Sequence, residues 1–319
     1  MLGTSLLLAA TLAGCDTLER FRGAKTAFSG DSALAYTRAQ LAFGPRVPGT
    51  TGHQRAGDWI VAQMRARADS VAVQTWKHVT QKGDTLPLRN IIARFRPAAQ
   101  QRILYLTHWD TRPTADEDRN LGARLRPITG ANDGAAGVGL FVALADALKK
   151  LPPSVGVDLL FVDGEDYGAF DDWSDTTKNK DVLIGSQYFA NHLPAGYKPI
   201  FGVLWDMIAD RSLQIYQEGH SVEAAPEVVA RVWATAKELG YDKFFIPEVK
   251  TSMTDDHLPL IRKGIRVIDV IDSDYCSDGG VNCEPGERNL HHTMDDTIDK
   301  ISAQSLQIVG DVALTLLIR

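Results

Sequence analysis

The stretch Val157-Asp158-Leu159-Leu160-Phe161-Val162-Asp163-Gly164-Glu165-Asp166 is an apolar run that stops abruptly in acid and glycine. Six mostly branched or aromatic residues closed by a turn signal read as a buried strand. The acidic tetrapeptide then hangs from that strand's carboxyl end. The pattern recurs upstream, where Ile103-Leu104-Tyr105-Leu106 runs into Thr107-His108-Trp109-Asp110. It recurs downstream, where residues 200–204 run into Trp205-Asp206. Helical stripes separate these runs. Residues 137–148 carry Val138, Phe141, Ala145 and Leu148 on one face, residues 226–239 form another helix, and residues 302–317 turn Leu306, Val309, Ala313 and Leu316 inward. Residues 267–271 supply a further strand. Such alternation predicts an α/β fold, a mostly parallel (mixed) central sheet flanked by helices on both faces. Ligands of such sheets bind beyond the carboxyl ends of the strands.

Upstream of this region the pattern changes. Residues 70–79 and 88–95 read as strands joined through Lys82-Gly83-Asp84. The turn cluster Arg46-Val47-Pro48-Gly49-Thr50-Thr51-Gly52 precedes a helix with Trp59, Ile60 and Met64 on its inner side. Residues 15–45 read as a leader and a first covering helix, and residues 46–319 as one catalytic domain. The net charge of −6, with no basic stripe, argues against nucleic-acid binding. Residues 1–14 are small and apolar, too short to span a bilayer, and read as an export signal. Their ending, Leu12-Ala13-Gly14-Cys15, resembles the bacterial lipobox. That resemblance implies lipidation of Cys15 and an exported, periplasm-facing, membrane-anchored lipoprotein. Cys276 and Cys283 remain, separated by a turn-like segment. In an exported protein the pair suggests a disulfide, with two free thiols as the alternative.

Acids and histidines gather where the strands stop. His108 and Asp110 follow one strand, Glu165 and Asp166 a second, Asp206 a third. Asn132-Asp133-Gly134 precedes a helix, and His291-His292 lies in the loop after the last strand. Read alone, Asp133 is a helix N-cap and either histidine is a surface residue. Read together, at strand ends that converge in space, they suggest a metal site, and carboxylate with imidazole suits zinc. The pattern leaves the ligands open, with His108 and Asp206 as eligible as the others.

Seven motifs then resemble the zinc aminopeptidase and glutaminyl cyclase superfamily, from Arg46 onward. They are Arg46-Val47-Pro48-Gly49, His108-Trp109-Asp110, Gly130-Ala131-Asn132-Asp133-Gly134, Asp163-Gly164-Glu165-Asp166, Leu204-Trp205-Asp206-Met207, Thr254-Asp255-Asp256-His257 and His292-Thr293-Met294-Asp295-Asp296. The stretches His108-Trp109-Asp110-Thr111-Arg112-Pro113, Glu165-Asp166-Tyr167-Gly168, Tyr216-Gln217-Glu218-Gly219-His220-Ser221 and Phe244-Phe245-Ile246-Pro247-Glu248 look like the bacterial cyclases.

The resemblance implies zinc held by Asp133, Asp166 and His292, with Glu165 as general acid/base and Asp206 and Asp255 as an acidic relay beside it. It implies a pocket that includes Trp173, Trp205 and His291. The activity implied is closure of an N-terminal glutamine of a peptide or protein into pyroglutamate, with one zinc ion. The alternative is an aminopeptidase with two zinc ions, in which His108 holds the second. A third possibility is an inactive, lipid-anchored binding protein. Two positions depart from the family pattern. Asp166 stands where the aminopeptidases and animal cyclases carry Glu, and His291 stands where the cyclases carry Trp. The stretch from Cys276 to Asn289 is also longer than usual, so the pocket rim is expected to be rebuilt.

Overall fold

A hairpin and a crossover sheet share one set of hydrogen-bonded strands. The structure, a computed structural model, describes residues 25–168, 181–275 and 289–318. Its strands are β1 (Ser70–Val79), β2 (Thr85–Phe95), β3 (Arg102–His108), β4 (Gly156–Val162), β5 (Phe201–Asp206), β6 (Ile215–Glu218), β7 (Phe245–Thr251) and β8 (Val267–Ile271). Six of them form the main sheet in the order β1-β2-β4-β3-β5-β8. β2 runs antiparallel to both β1 and β4, and the other neighbours are parallel. This is the mixed, mostly parallel sheet expected from the alternation. The hairpin turn is where it was read, with Gly83 at φ +89° and Thr80 N–H bonded to the Asp84 carbonyl.

The helices are α1 (Gly30–Leu41), α2 (Thr51–Arg65), α3 (Gly137–Lys150), α4 (Ile184–Asn191), α5 (Gly219–Ala224), α6 (Pro226–Glu238), α7 (His257–Ile261) and α8 (Ala303–Ile318). Side chains of a strand alternate between faces, and β4 sorts accordingly. Val157, Leu159 and Phe161 join the larger core under α1, α2, α3, α6 and α8. Leu160 and Val162 join the smaller core under α4 and α7. Helices therefore cover both faces. Asp158 falls on the second face too, and Arg102 neutralises it through Nη2 at 2.5 Å and Nε at 3.0 Å.

The closing helix α8 is buried at every position from Ser305 to Leu317. Its one interior acid, Asp311, accepts the backbone N–H groups of Lys25 and Thr26 and the hydroxyls of Thr26 and Tyr241. That hub ties the leader segment to the core. β6 and β7 form a separate parallel pair that the sequence reading did not assign as strands. Residues 1–24, with the export signal and Cys15, lie outside the described residues, as do Trp173, Cys276 and Cys283.

Candidate metal centre

Five chain segments converge at the carboxyl ends of β3, β4 and β5. His108 ends β3, Asp206 ends β5, and Glu165 and Asp166 follow β4 by a few residues. Asp133 comes from the irregular turn Ala131–Ala136 that leads into α3, and His292 from the loop before α8. All six side chains are buried.

His108 Nε2 lies 3.0 Å from Asp133 Oδ1 and 3.3 Å from Asp206 Oδ1. His292 Nε2 lies 3.0 Å from Asp166 Oδ1 and 3.6 Å from Asp133 Oδ2. Two ligand sets thus share Asp133, namely Asp133–Asp166–His292 and His108–Asp133–Asp206, each with its donor atoms within 4.8 Å of one another. The residues fit a metal by their unmet bonding capacity as well as by spacing. Asp133 Oδ2, Asp166 Oδ2 and both ring nitrogens of His108 are buried and make no hydrogen bond among the described residues. Orphan polar atoms of this kind are costly without a partner, and mixed imidazole and carboxylate donors suit zinc.

The loops are fixed through their backbones. Asp110 spreads its two oxygens over the N–H groups of Glu165 (3.1 Å) and Asp166 (3.2 Å). Asp296 does the same for Asn132 (2.9 Å) and Asp133 (3.2 Å), and accepts the Tyr275 hydroxyl at 2.7 Å. Arg46 is fully buried and donates to the carbonyls of Trp109, Thr129 and Gly130. Gly134 has to be glycine, because a Cβ there would stand 2.5 Å from His108 Nε2.

Charge crowding sets the proton affinities. Burial, and then Asp166, hold the Glu165 carboxyl well above the usual carboxylate range. Burial and Asp206 do the same to Asp255. Asp256 rises to about 7, mainly by burial. Burial would raise Asp133 too, but contact with His108 outweighs it and holds Asp133 low. Burial alone would lower His108, whereas Asp206, Asp110 and Asp133 together raise it. A carboxyl poised to carry a proton therefore sits beside a carboxylate poised to hold a cation.

The remaining expected residues fall as follows. Asp255 is buried beside Asp206 and Glu165. His291 lies on the rim, its ring stacked on His292 at 3.5 Å and its Nδ1 3.2 Å from Glu117 Oε1. Trp205 is a correction. It is fully buried, edge-on to Tyr105 at 5.4 Å, and offers no face to a substrate. Alternation along β5 sends it with Val203 into the larger core. Arg46, Arg112 and Asp296 lay inside quoted motifs without a role, since the backbone groups and side chains they bond are brought to them only by the folded chain.

This geometry makes a buried, carboxylate-rich candidate metal site. The chain belongs to peptidase family M28, whose family model matches residues 90–317. Among solved structures, it is 38% identical to Porphyromonas gingivalis glutaminyl cyclase, with a TM-score of 0.83 over 92% of this chain and 98% of that one. It is 35% identical to Bacteroides thetaiotaomicron glutaminyl cyclase bound to N-acetylhistamine, with a TM-score of 0.84 over 93% and 99%. It is also 36% identical to a leucine aminopeptidase precursor from Bacteroides thetaiotaomicron, with a TM-score of 0.83 over 92% and 97%. By sequence it is 26% identical to the glutaminyl-peptide cyclotransferase of Drosophila melanogaster, over 71% of this chain and 67% of that protein. It spans 50% of the Escherichia coli alkaline phosphatase isozyme conversion protein, at 30% identity. The protein is thus an M28 zinc-peptidase superfamily member whose structural neighbours include bacterial glutaminyl cyclases.

Proposed function

We propose that this protein is a zinc-dependent glutaminyl-peptide cyclotransferase, acting on the N-terminal glutamine of peptides or proteins. The observation that carries this reading is Asp255, a second buried carboxyl set beside Asp206 and Glu165. A two-metal peptidase needs Asp206 as a free carboxylate donor to its second ion. A buried acid whose proton affinity the charge of Asp206 raises can hold a proton there instead, which suits the pair to an acidic relay serving Glu165. The recurrence of cyclases among solved structures of similar sequence supports the same reading.

Asp133, Asp166 and His292 would hold the zinc ion. The chemistry such an ion supplies is Lewis-acid polarisation of the glutamine side-chain carbonyl. The substrate's own α-amine is the nucleophile, so the attack is intramolecular and little entropy is lost. As its nitrogen bonds to the side-chain carbonyl carbon, Glu165 takes a proton from that nitrogen. Glu165 then passes the proton to the departing amide nitrogen, which leaves as ammonia. A carboxyl with raised proton affinity suits both transfers.

A di-zinc aminopeptidase is the second reading, and the complete His108–Asp133–Asp206 set favours it. The test incubates purified protein with a Gln-initiated and a Leu-initiated peptide. Ammonia release from the first, with one bound zinc and no free leucine from the second, is the expected result. Free leucine without ammonia overturns it in favour of the peptidase. Neither product would leave a binding protein.

A further inference from the structure

Arg112 is the residue of the His108-Trp109-Asp110-Thr111-Arg112 stretch that the proposed chemistry leaves unused. Its side chain is only 4% exposed. Nε and Nη2 each reach one oxygen of Asp116 at 2.6 Å, which locks the guanidinium plane. Nη1 then points inward, 2.7 Å from the Gly168 carbonyl and 3.2 Å from Asp166 Oδ1. The other oxygen of Asp166, Oδ2, is buried and makes no hydrogen bond among the described residues. Asp116 Oδ1 itself lies 3.9 Å from His292 Nδ1, so the carboxylate that locks Arg112 also reaches the His292 ring.

We infer that Arg112 is a positioning residue that fixes the Asp166 carboxylate, whose Oδ1 lies 3.2 Å from Arg112 Nη1 and 3.0 Å from His292 Nε2, and limits its rotation at the metal ion. The inference rests on the reading of Asp133, Asp166 and His292 as zinc ligands. The terminal torsion of an aspartate is broad, so an untethered carboxylate swings between one-oxygen and two-oxygen binding. Aspartate also has one torsion fewer than glutamate with which to correct a poor approach. A guanidinium clamped by Asp116 holds it, and lysine, a single mobile point charge, cannot reproduce that fork. The charge of Arg112 works the other way, because a nearby cation repels zinc. Loss of charge alone would tighten zinc binding, whereas loss of positioning weakens it, so the sign of the change separates the two.

The experiment measures zinc affinity by competition with a chromophoric chelator for wild type, Arg112→Lys and Arg112→Met. Circular dichroism of the metal-free proteins serves as the folding control. Both variants are expected to bind zinc at least ~10-fold more weakly, the usual cost of removing an outer-shell partner. Wild-type affinity in Arg112→Lys, or unchanged or tighter binding in Arg112→Met, overturns the inference. A crystal structure of the zinc-loaded wild type decides the matter without any variant. An Asp166 carboxylate that binds zinc while still accepting from Arg112 Nη1 supports it, and one that binds zinc with that bond broken overturns it. A wild type that takes up no zinc at all refutes the ligand reading beneath it.

Discussion

His108 Nε2 stands 3.0 Å from Oδ1 of Asp133. The other oxygen of Asp133 faces His292 at 3.6 Å. One carboxylate therefore belongs to both ligand sets, and the two sets are unequal in consequence. Removing Asp133 disables both, whereas removing His108 disables only one. Asp133→Ala should lose all stoichiometric zinc by elemental analysis. His108→Ala should keep one zinc per chain. A fall from two to one on His108 removal would identify the peptidase.

Glu165→Gln keeps the shape of the side chain and removes its ability to carry a proton. Turnover of a Gln-initiated peptide should drop ~10²–10⁴-fold, the usual weight of general acid–base catalysis. Zinc content should remain that of wild type. A zinc-loaded Glu165→Gln enzyme with near-normal turnover refutes the role assigned to Glu165.

Asp256 gives a pH signature. Its folded-state value of about 7 lies above the usual 3.8. The folded protein therefore holds this proton more tightly than the unfolded chain. The stabilisation is complete below the unfolded value and is lost as pH rises through the folded one. Each tenfold difference in proton affinity is worth about 1.4 kcal/mol. Thermal melting of metal-free protein should thus show a stability contribution declining between about pH 4 and pH 7. Asp256→Asn should flatten that decline. An identical pH profile in the variant would count against a protonated Asp256.

Tyr105 tests the core apart from the site. Its ring is fully buried on β3, and its hydroxyl donates to the Ala313 carbonyl of α8 at 2.9 Å. Tyr105→Phe removes that bond while the Ala313 carbonyl keeps its place in the α8 ladder, and should cost about 0.5–1.5 kcal/mol in denaturant unfolding. kcat should not change. A drop in kcat at full stability would mean that this contact reaches the chemistry.

The lipidation implied by the Leu12-Ala13-Gly14-Cys15 ending is testable without the fold. Growth with a clickable fatty acid should label the wild-type protein and leave Cys15→Ala unlabelled. Label persisting in Cys15→Ala removes the case for lipidation at that position.

Much of the fold was legible because hydrophobic period and strand-end chemistry are local. Residues 70–79 and 267–271 are strands over those same limits. The strand read at 88–95 begins instead at Thr85, because pairing with β1 continues to the turn whatever the local pattern. β6 and β7 escaped notice for a related reason. β6 is only four residues long, β7 is mostly exposed, and register shifts interrupt their pairing, so neither carries a clean alternation. Within the site, the clustering of His108, Asp133, Asp166, Asp206 and His292 could be inferred because each follows or precedes a readable element. Arg46 and Arg112 could not, since a buried arginine looks like a surface one until the carbonyls and carboxylates around it are in place. The resemblance alone puts Trp205 in the pocket, whereas strand alternation turns it away from the Asp206 side into the larger core.

Asp110 and Asp296 hold their loops by main-chain N–H groups and not by the side chains those loops display. An amide is the same whichever residue bears it. The scaffold can therefore exchange the groups it exhibits, aspartate for glutamate at position 166 among them, without renegotiating how the loops are hung. Such a frame tolerates drift from one chemistry to another by point substitution. It gives a physical reason why structures described as cyclases and as an aminopeptidase precursor superpose on this chain equally well.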